Sequence, residues 1–287
     1  MRNRLKTALA VAAAMLTASG ARGAGSEGDT LRCQPVTSVY SLEAGHQSSL
    51  STYLSPLTYG GPVFGASGSW SKALARDPER LTMGFDTRIN VANMLNPYGN
   101  ARMIGLDFQF QWGLSRRWRL GGGWQIQAGG DIGIDGGALY LIRNGNNPVA
   151  AQASVAIAPR GRVAKTLHIG RLPVLLADEV RLPSLSVFFS PEFGETYYEI
   201  YLGNHKGLAH CGWWGNNFCI SNLLSADLDF GRTAMRIGYR MEVRSSYVCS
   251  LNTRIITHSL VVGIIPQGLG LKKRHLPAHT SAIYAVY

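Results

Sequence analysis

Beyond its N-terminal segment the chain has no apolar run close to the roughly eighteen residues of a membrane-spanning helix. The longest is LVVGII, Leu260 to Ile265. That absence excludes a helical membrane protein. It leaves a membrane β-barrel open, because barrel strands carry only weak, alternating hydrophobicity. Charge is scarce as well, with Asp, Glu, Lys and Arg at 16% of the residues. No basic helix and no interleaved aromatic RNA-binding motif occurs, so nucleic acid is not an expected partner. Cysteine is confined to Cys33, Cys211, Cys219 and Cys249, and no C-x-x-C spacing joins them, so a zinc site is not expected. His275 and His279 stand four apart, but Pro277 breaks the helix on which that spacing makes a metal site. Neither a metal nor a cofactor is expected.

What is present starts with MRNRLK, then the apolar ALAVAAAMLTA, then Ser19-Gly20-Ala21. A cationic start, a short apolar stretch and small residues read as a secretory signal peptide, residues 1–21. Without Arg2, Arg4 and Lys6 the chain keeps 25 basic against 17 acidic side chains. For an exported protein that balance fits attraction to anionic head groups or lipopolysaccharide. Export also permits disulfides. Cys211 and Cys219 bracket GWWGNNF and form a candidate bridge, with buried unpaired thiols as the alternative.

Helical periodicity is almost missing, while 34 glycines and 12 prolines punctuate the chain, which suits a sheet protein with many turns. Alternation is cleanest in four stretches. Leu106, Phe108, Phe110 and Trp112 oppose Asp107, Gln109 and Gln111. Trp118, Leu120, Trp124 and Ile126 oppose Arg119, Gln125 and Gln127. Ala226, Leu228 and Phe230 oppose Asp227 and Asp229. Met235, Ile237, Tyr239, Met241 and Val243 oppose Arg236, Arg240, Glu242 and Arg244. So many polar groups on one face suit solvent or a watery lumen and not a packed sandwich core. Tight turns are expected at Gly113–Arg117, Arg160–Arg162 and Gly231–Arg232, with longer segments at Asn93–Asn100 and Arg143–Val149. On that reading Trp112 faces Trp118 across a basic hairpin tip. Short turns at one end and long loops at the other are the habit of outer-membrane barrels.

The pattern predicts an all-β protein, an antiparallel transmembrane barrel of about twelve strands, between ten and fourteen. Residues 22–50 read as a periplasmic lead-in, 51–265 as the barrel, and 266–287 as a basic tail or closing segment. Ile283, Ala285 and Tyr287 resemble the aromatic-ended signal by which barrel assembly machinery recognises its clients.

Chemistry-bearing motifs are weak. Asp227 and Asp229 share one strand face, and paired carboxylates activate water, but pairing with Arg236 or Arg240 on the next strand accounts for them better. His258 adjoins Ser259, and neighbours on a strand point to opposite faces. These three are the only catalytic candidates, and no hydrolase triad accompanies them. Asp107, Gln109, Gln111, Arg236 and Arg240 are the candidate lumen-binding groups. Trp213 and Trp214, in the aromatic stretch Glu195–Phe218, are candidate loop-binding groups.

The stretches TYLSPLTYGG, LYLIRNGNNPVAAQA, FFSPEFGETYYEIYLGNHKG, MRIGYR and TRIITHSLVVG are similar to a family of Bacteroidales exported proteins of unknown function. The resemblance runs from Thr52 to Ile265. It implies an outer-membrane barrel of this length and no assigned catalytic residues. The cysteines and the Pro266–Tyr287 tail depart from the family pattern. The expected location is therefore the outer membrane of a Gram-negative bacterium, and the expected role a small channel, an envelope scaffold or a surface receptor. The competing readings are an outer-membrane hydrolase of lipid or peptide and a soluble periplasmic lipocalin-like binder.

Overall fold

The computed structural model describes residues 31–266 and 280–285. The signal segment, His275, His279 and Tyr287 lie outside them. Two short strands, β1 (Leu31–Cys33) and β14 (Thr280–Ala282), pair with each other in a small separate sheet.

The main sheet holds twelve strands. They are β2 (Thr37–Ser51), β3 (Ser55–Ala73), β4 (Leu81–Leu95), β5 (Arg102–Arg119), β6 (Trp124–Leu141) and β7 (Val149–Ile169). Then come β8 (Leu172–Arg181), β9 (Leu185–Phe189), β10 (Ala209–Trp213), β11 (Asn217–Asp229), β12 (Ala234–Val248) and β13 (Leu251–Ile265). Consecutive strands pair antiparallel from β2 to β8, except that β11, not β9, is the next neighbour of β8. β12 and β13 follow, and β13 returns to β2, so ten strands close a barrel. β9 resumes along β7 where β8 stops: Arg181 faces Arg160, and Leu185 faces Ile157. β10 pairs with β9 outside the closed ring. One helix, α1 (Tyr197–Tyr201), sits in the longest connection, residues 190–208.

Three expected boundaries are corrected. The segment read as a lead-in through Leu50 supplies β2, which closes the barrel against β13. Tyr40 and Leu42 face out against Ser41 and Glu43, but from Ala44 to Ser49 both faces are small or polar, so alternation fades there. Arg160–Arg162 is no turn; β7 runs through it and sends both arginines inward. The β5–β6 turn lies at Leu120–Gly123, where Gly122 and Gly123 take φ of 68° and 80°, angles only glycine adopts without strain. Trp112 therefore pairs with Ile132 and Trp118 with Ile126. The shift from the expected register is even, so both faces keep their identity.

The outer wall is apolar: Leu106, Phe108, Ile132, Ile134, Val155 and Leu260 are all exposed. The lumen is filled in three layers. At the loop end, Tyr59, Val63, Met94, Met103, Leu139 and Ile255 form one apolar cluster. At the turn end, Val39, Ala164, Leu175, Ala177, Ala234 and Ile265 form another. Polar and charged side chains occupy the middle. Arg117 seals the turn end, donating to the carbonyls of Pro78, Glu79 and Tyr284 at 3.0, 3.0 and 2.6 Å.

Closure depends on a close approach at the β2–β13 seam, where a Cβ on Gly45 collides with the backbone carbonyl oxygen of His258. A Cβ on Gly136, by contrast, meets open space. Gly45→Ala is expected to lower the yield of compact, heat-modifiable protein on an SDS gel, and Gly136→Ala to leave it unchanged.

Candidate functional site

Strand alternation sends every second residue inward, and mid-barrel those residues ionise. β4 contributes Asp86 and Arg88, β5 Asp107, Gln109 and Gln111, and β12 Arg236, Arg240, Glu242 and Arg244. The belt forms two interlocked groups. In the first, Arg88 pairs with Glu242 and lies 3.8 Å from Glu43, while Arg240 reaches Glu43 at 3.2 Å. Arg244 bridges Asp107 at 2.6 Å and Glu242 at 2.9 Å. Gln109 accepts from Arg88 at 2.9 Å and donates to Glu242 at 2.8 Å. In the second, Arg160 meets Glu179 at 2.8 Å and Asp86 at 3.5 Å. Arg181 pairs with Asp86 and meets Asp131 and Glu179, each at 3.1 Å. Every cation in these groups is arginine, whose planar fork serves two carboxylates at once.

Each sequence candidate now has a place. Asp227 is fully buried and accepts both forks of Arg236 at 2.7 Å, and Asp229 accepts from the Gly231 amide at 2.7 Å. His258 lies on the opposite, outer face, hydrogen-bonded through Nδ1 to the Tyr239 hydroxyl at 2.6 Å. The three catalytic candidates are thus not brought together. Asp107, Gln109 and Arg240 belong to the first ionic group, and Gln111 accepts from Arg181 in the second. Trp213 and Trp214 are exposed on the outside, with the Trp214 indole donating to the Pro183 carbonyl at 3.0 Å. The expected Cys211–Cys219 bridge is absent, and both thiols are free. Cys211 is exposed on β10, whereas Cys219 lines the lumen on β11, so the wall separates them.

Sequence reasoning missed Glu43, Arg88, Asp86, Asp131, Arg160, Glu179 and Arg181. In FDTRINV, Phe85 to Val91, the signal was available: Asp86, Arg88 and Asn90 alternate with Phe85, Thr87, Ile89 and Val91, three of them apolar.

At the loop end a cavity of about 120 Å³ opens beside the apolar cluster. Asp135, Gln152, Ser154, Asn217, Cys219 and Arg244 are among its lining groups, with Tyr53, Phe188 and Tyr197 toward the loops. The 190–208 connection is tied over it. Thr196 caps α1, accepting from the Glu199 amide at 3.2 Å, and Glu199 accepts in return from the Thr196 amide at 2.7 Å. The Tyr53 hydroxyl donates to the Glu195 carbonyl at 2.8 Å, and the Ala151 amide donates to the Tyr197 hydroxyl at 2.7 Å. The two rings meet edge to face at 5.8 Å. Lost hydration, with Tyr197 and Glu195 adding to it, pushes the Tyr53 phenol up to about 12.

The belt's charges hold one another in place. Glu242→Ala takes from Arg88 its closest carboxylate and leaves Arg244 with Asp107 alone, and is expected to destabilise the fold by about 3–5 kcal/mol. Arg88→Met with Glu242→Leu is expected to recover most of that loss, as read from urea unfolding midpoints.

Comparison with known proteins adds little about the activity. No curated protein matches the chain. Among solved structures it is similar to the β domain of the Bordetella autotransporter BrkA, at 12% identity over 80% of this chain and 98% of that one, with a TM-score of 0.41. The transport unit of the autotransporter AIDA-I from Escherichia coli matches at 6% identity over 88% and 95%, with a TM-score of 0.46. Neisserial surface protein A matches at 8% identity over 81% and 99%, with a TM-score of 0.33. The chain's own strand pairing, rather than these likenesses, establishes its architecture. Residues 8–275 match the family described as "Protein of unknown function (DUF3316)", and the chain belongs to it.

Proposed function

We propose that the protein is an integral outer-membrane barrel of a Gram-negative bacterium that works as a surface receptor for a small polar ligand. On this reading the signal segment directs export and the bore is shut. The observation that carries it is the ionic belt held between two apolar clusters, beside which the loop-end cavity of about 120 Å³ is larger than the two spaces of about 60 Å³ lined by belt residues.

The apolar outer wall supports a lipid environment. At the turn end Arg116 lies over the Trp118 ring at 5.6 Å, and Lys165 over Trp124 at 4.8 Å. Cations beside outward tryptophans suit an interface with anionic head groups. The turn end then faces the periplasm and the loop end the outside, where lipopolysaccharide surrounds the barrel.

The other roles have less support. A passive channel needs a continuous polar bore, and this one is crossed by buried ion pairs. A lipocalin-like binder keeps apolar residues inside, whereas here Phe108, Ile132 and Leu260 point out. A hydrolase built on Asp227, Asp229 and His258 needs groups that the wall separates.

In planar bilayers the refolded protein is expected to show no steady ohmic conductance; a stable open pore overturns the reading. Phe110→Arg, at the middle of β5 on the outer wall, is expected to reduce folding stability in lipid vesicles by about 2–4 kcal/mol.

A further inference from the structure

The loop-end cavity holds a carboxylate outside the ion-pair network. Each carboxylate in the two ionic groups lies beside at least one arginine. Asp135, on the inward face of β6, makes no ion pair among the described residues and accepts only from the Ser154 hydroxyl, at 3.2 Å. Arg244 borders the same space and contacts Asp107 and Glu242 at 2.6 and 2.9 Å rather than Asp135. The cavity therefore presents a carboxylate that no arginine contacts.

It also presents a donor without an acceptor. Gln152 stands on β7 with Gly137 as its partner on β6, one inward position beyond the Asp135–Ser154 pair. Its side-chain Nε2 is buried and has no hydrogen-bond partner, as is the Ser51 hydroxyl on the same cavity wall. Leaving a buried donor unpaired is unfavourable, so an oxygen acceptor arriving here recovers a full hydrogen bond. Around these groups lie the aromatic rings of Tyr53, Phe188 and Tyr197. Aromatic faces beside a lone carboxylate are the surroundings that favour an ammonium group over a neutral or anionic one.

Resting on the receptor reading above, we propose that the loop-end cavity binds a small organic ammonium that also carries a hydroxyl or carbonyl oxygen. The ammonium sits against Asp135 and the aromatic rings, and the oxygen accepts from Gln152. A cavity of about 120 Å³, open on one side, admits a short amino alcohol and excludes an oligomer. The 190–208 connection, pinned by Tyr53 and Tyr197, forms its outer wall.

The test uses the full mature chain refolded in detergent, with ligand-observed saturation-transfer NMR and three probes: ethanolamine, ethylamine and ethylene glycol. Ethanolamine is expected to bind in preference to both others. Asp135→Asn is expected to weaken it at least tenfold while keeping heat-modifiable gel mobility, which shows that the barrel has folded. Gln152→Leu is expected to bring ethanolamine down to the level of ethylamine. Equal binding of ethanolamine by Asp135→Asn and the native chain overturns the ammonium site. Binding of ethylene glycol but of neither amine overturns it too, yet leaves the receptor reading standing. Binding of none of the three, together with an open conductance, overturns both.

Discussion

Buried charge is the constraint on which the rest of this barrel depends. Ten strands that alternate in and out deliver half their side chains to an enclosed bore, and here the middle of that bore is ionic. An isolated guanidinium or carboxylate is too costly to bury, so each arginine of the belt meets a carboxylate from another strand. Arg88 on β4 reaches Glu43 on β2 and Glu242 on β12, and so ties the near and far walls together. The register of every intervening strand follows from that requirement, because a slip of one residue replaces the ions with outward-facing apolar groups. Ion pairing thus acts less as net stabilisation than as specification of one closed arrangement.

The same constraint determines what space is left. Apolar clusters cap the belt at both ends, where strand ends and loops approach each other. On the β7, β9 and β11 side of the loop end, the lining mixes hydroxyls and amides with aromatic rings, Arg244 and the single carboxylate Asp135. The break between β8 and β9, and the long connection carrying α1, give that side its depth. Two tyrosines from separate parts of the chain, Tyr53 and Tyr197, hold the connection in place. Strand wall and tethered loop together enclose the loop-end cavity.

Much of the architecture was legible in linear form. The alternation in Leu106–Trp112 and Met235–Arg244 identified the outward and inward faces, and Asp227 pairs with Arg236 as adjacent-strand chemistry suggested. The errors share a cause. Where inward and outward residues are both small or polar, as in Ala44–Ser49, period-two contrast disappears although the strand is present. Where arginines cluster, as at Arg160–Arg162, local charge resembles an exposed turn, because the carboxylates that balance it come from β4, β6 and β8. The three consecutive glycines at Gly121–Gly123 marked the true hairpin turn better than the basic tip did.

The sequence by itself determined the class of fold and the sidedness of most strands, since alternation is a local property that neighbouring residues carry among themselves. It also limited the catalytic possibilities, by placing His258 and Ser259 on opposite faces. Only the tertiary structure decided that ion pairs cross the bore and that Cys211 and Cys219 are not bonded. It alone showed that Asp135 makes no ion pair among the described residues. Each of these depends on which distant strands face each other across the lumen, and pairwise charge balance at that range has no signature in the order of residues.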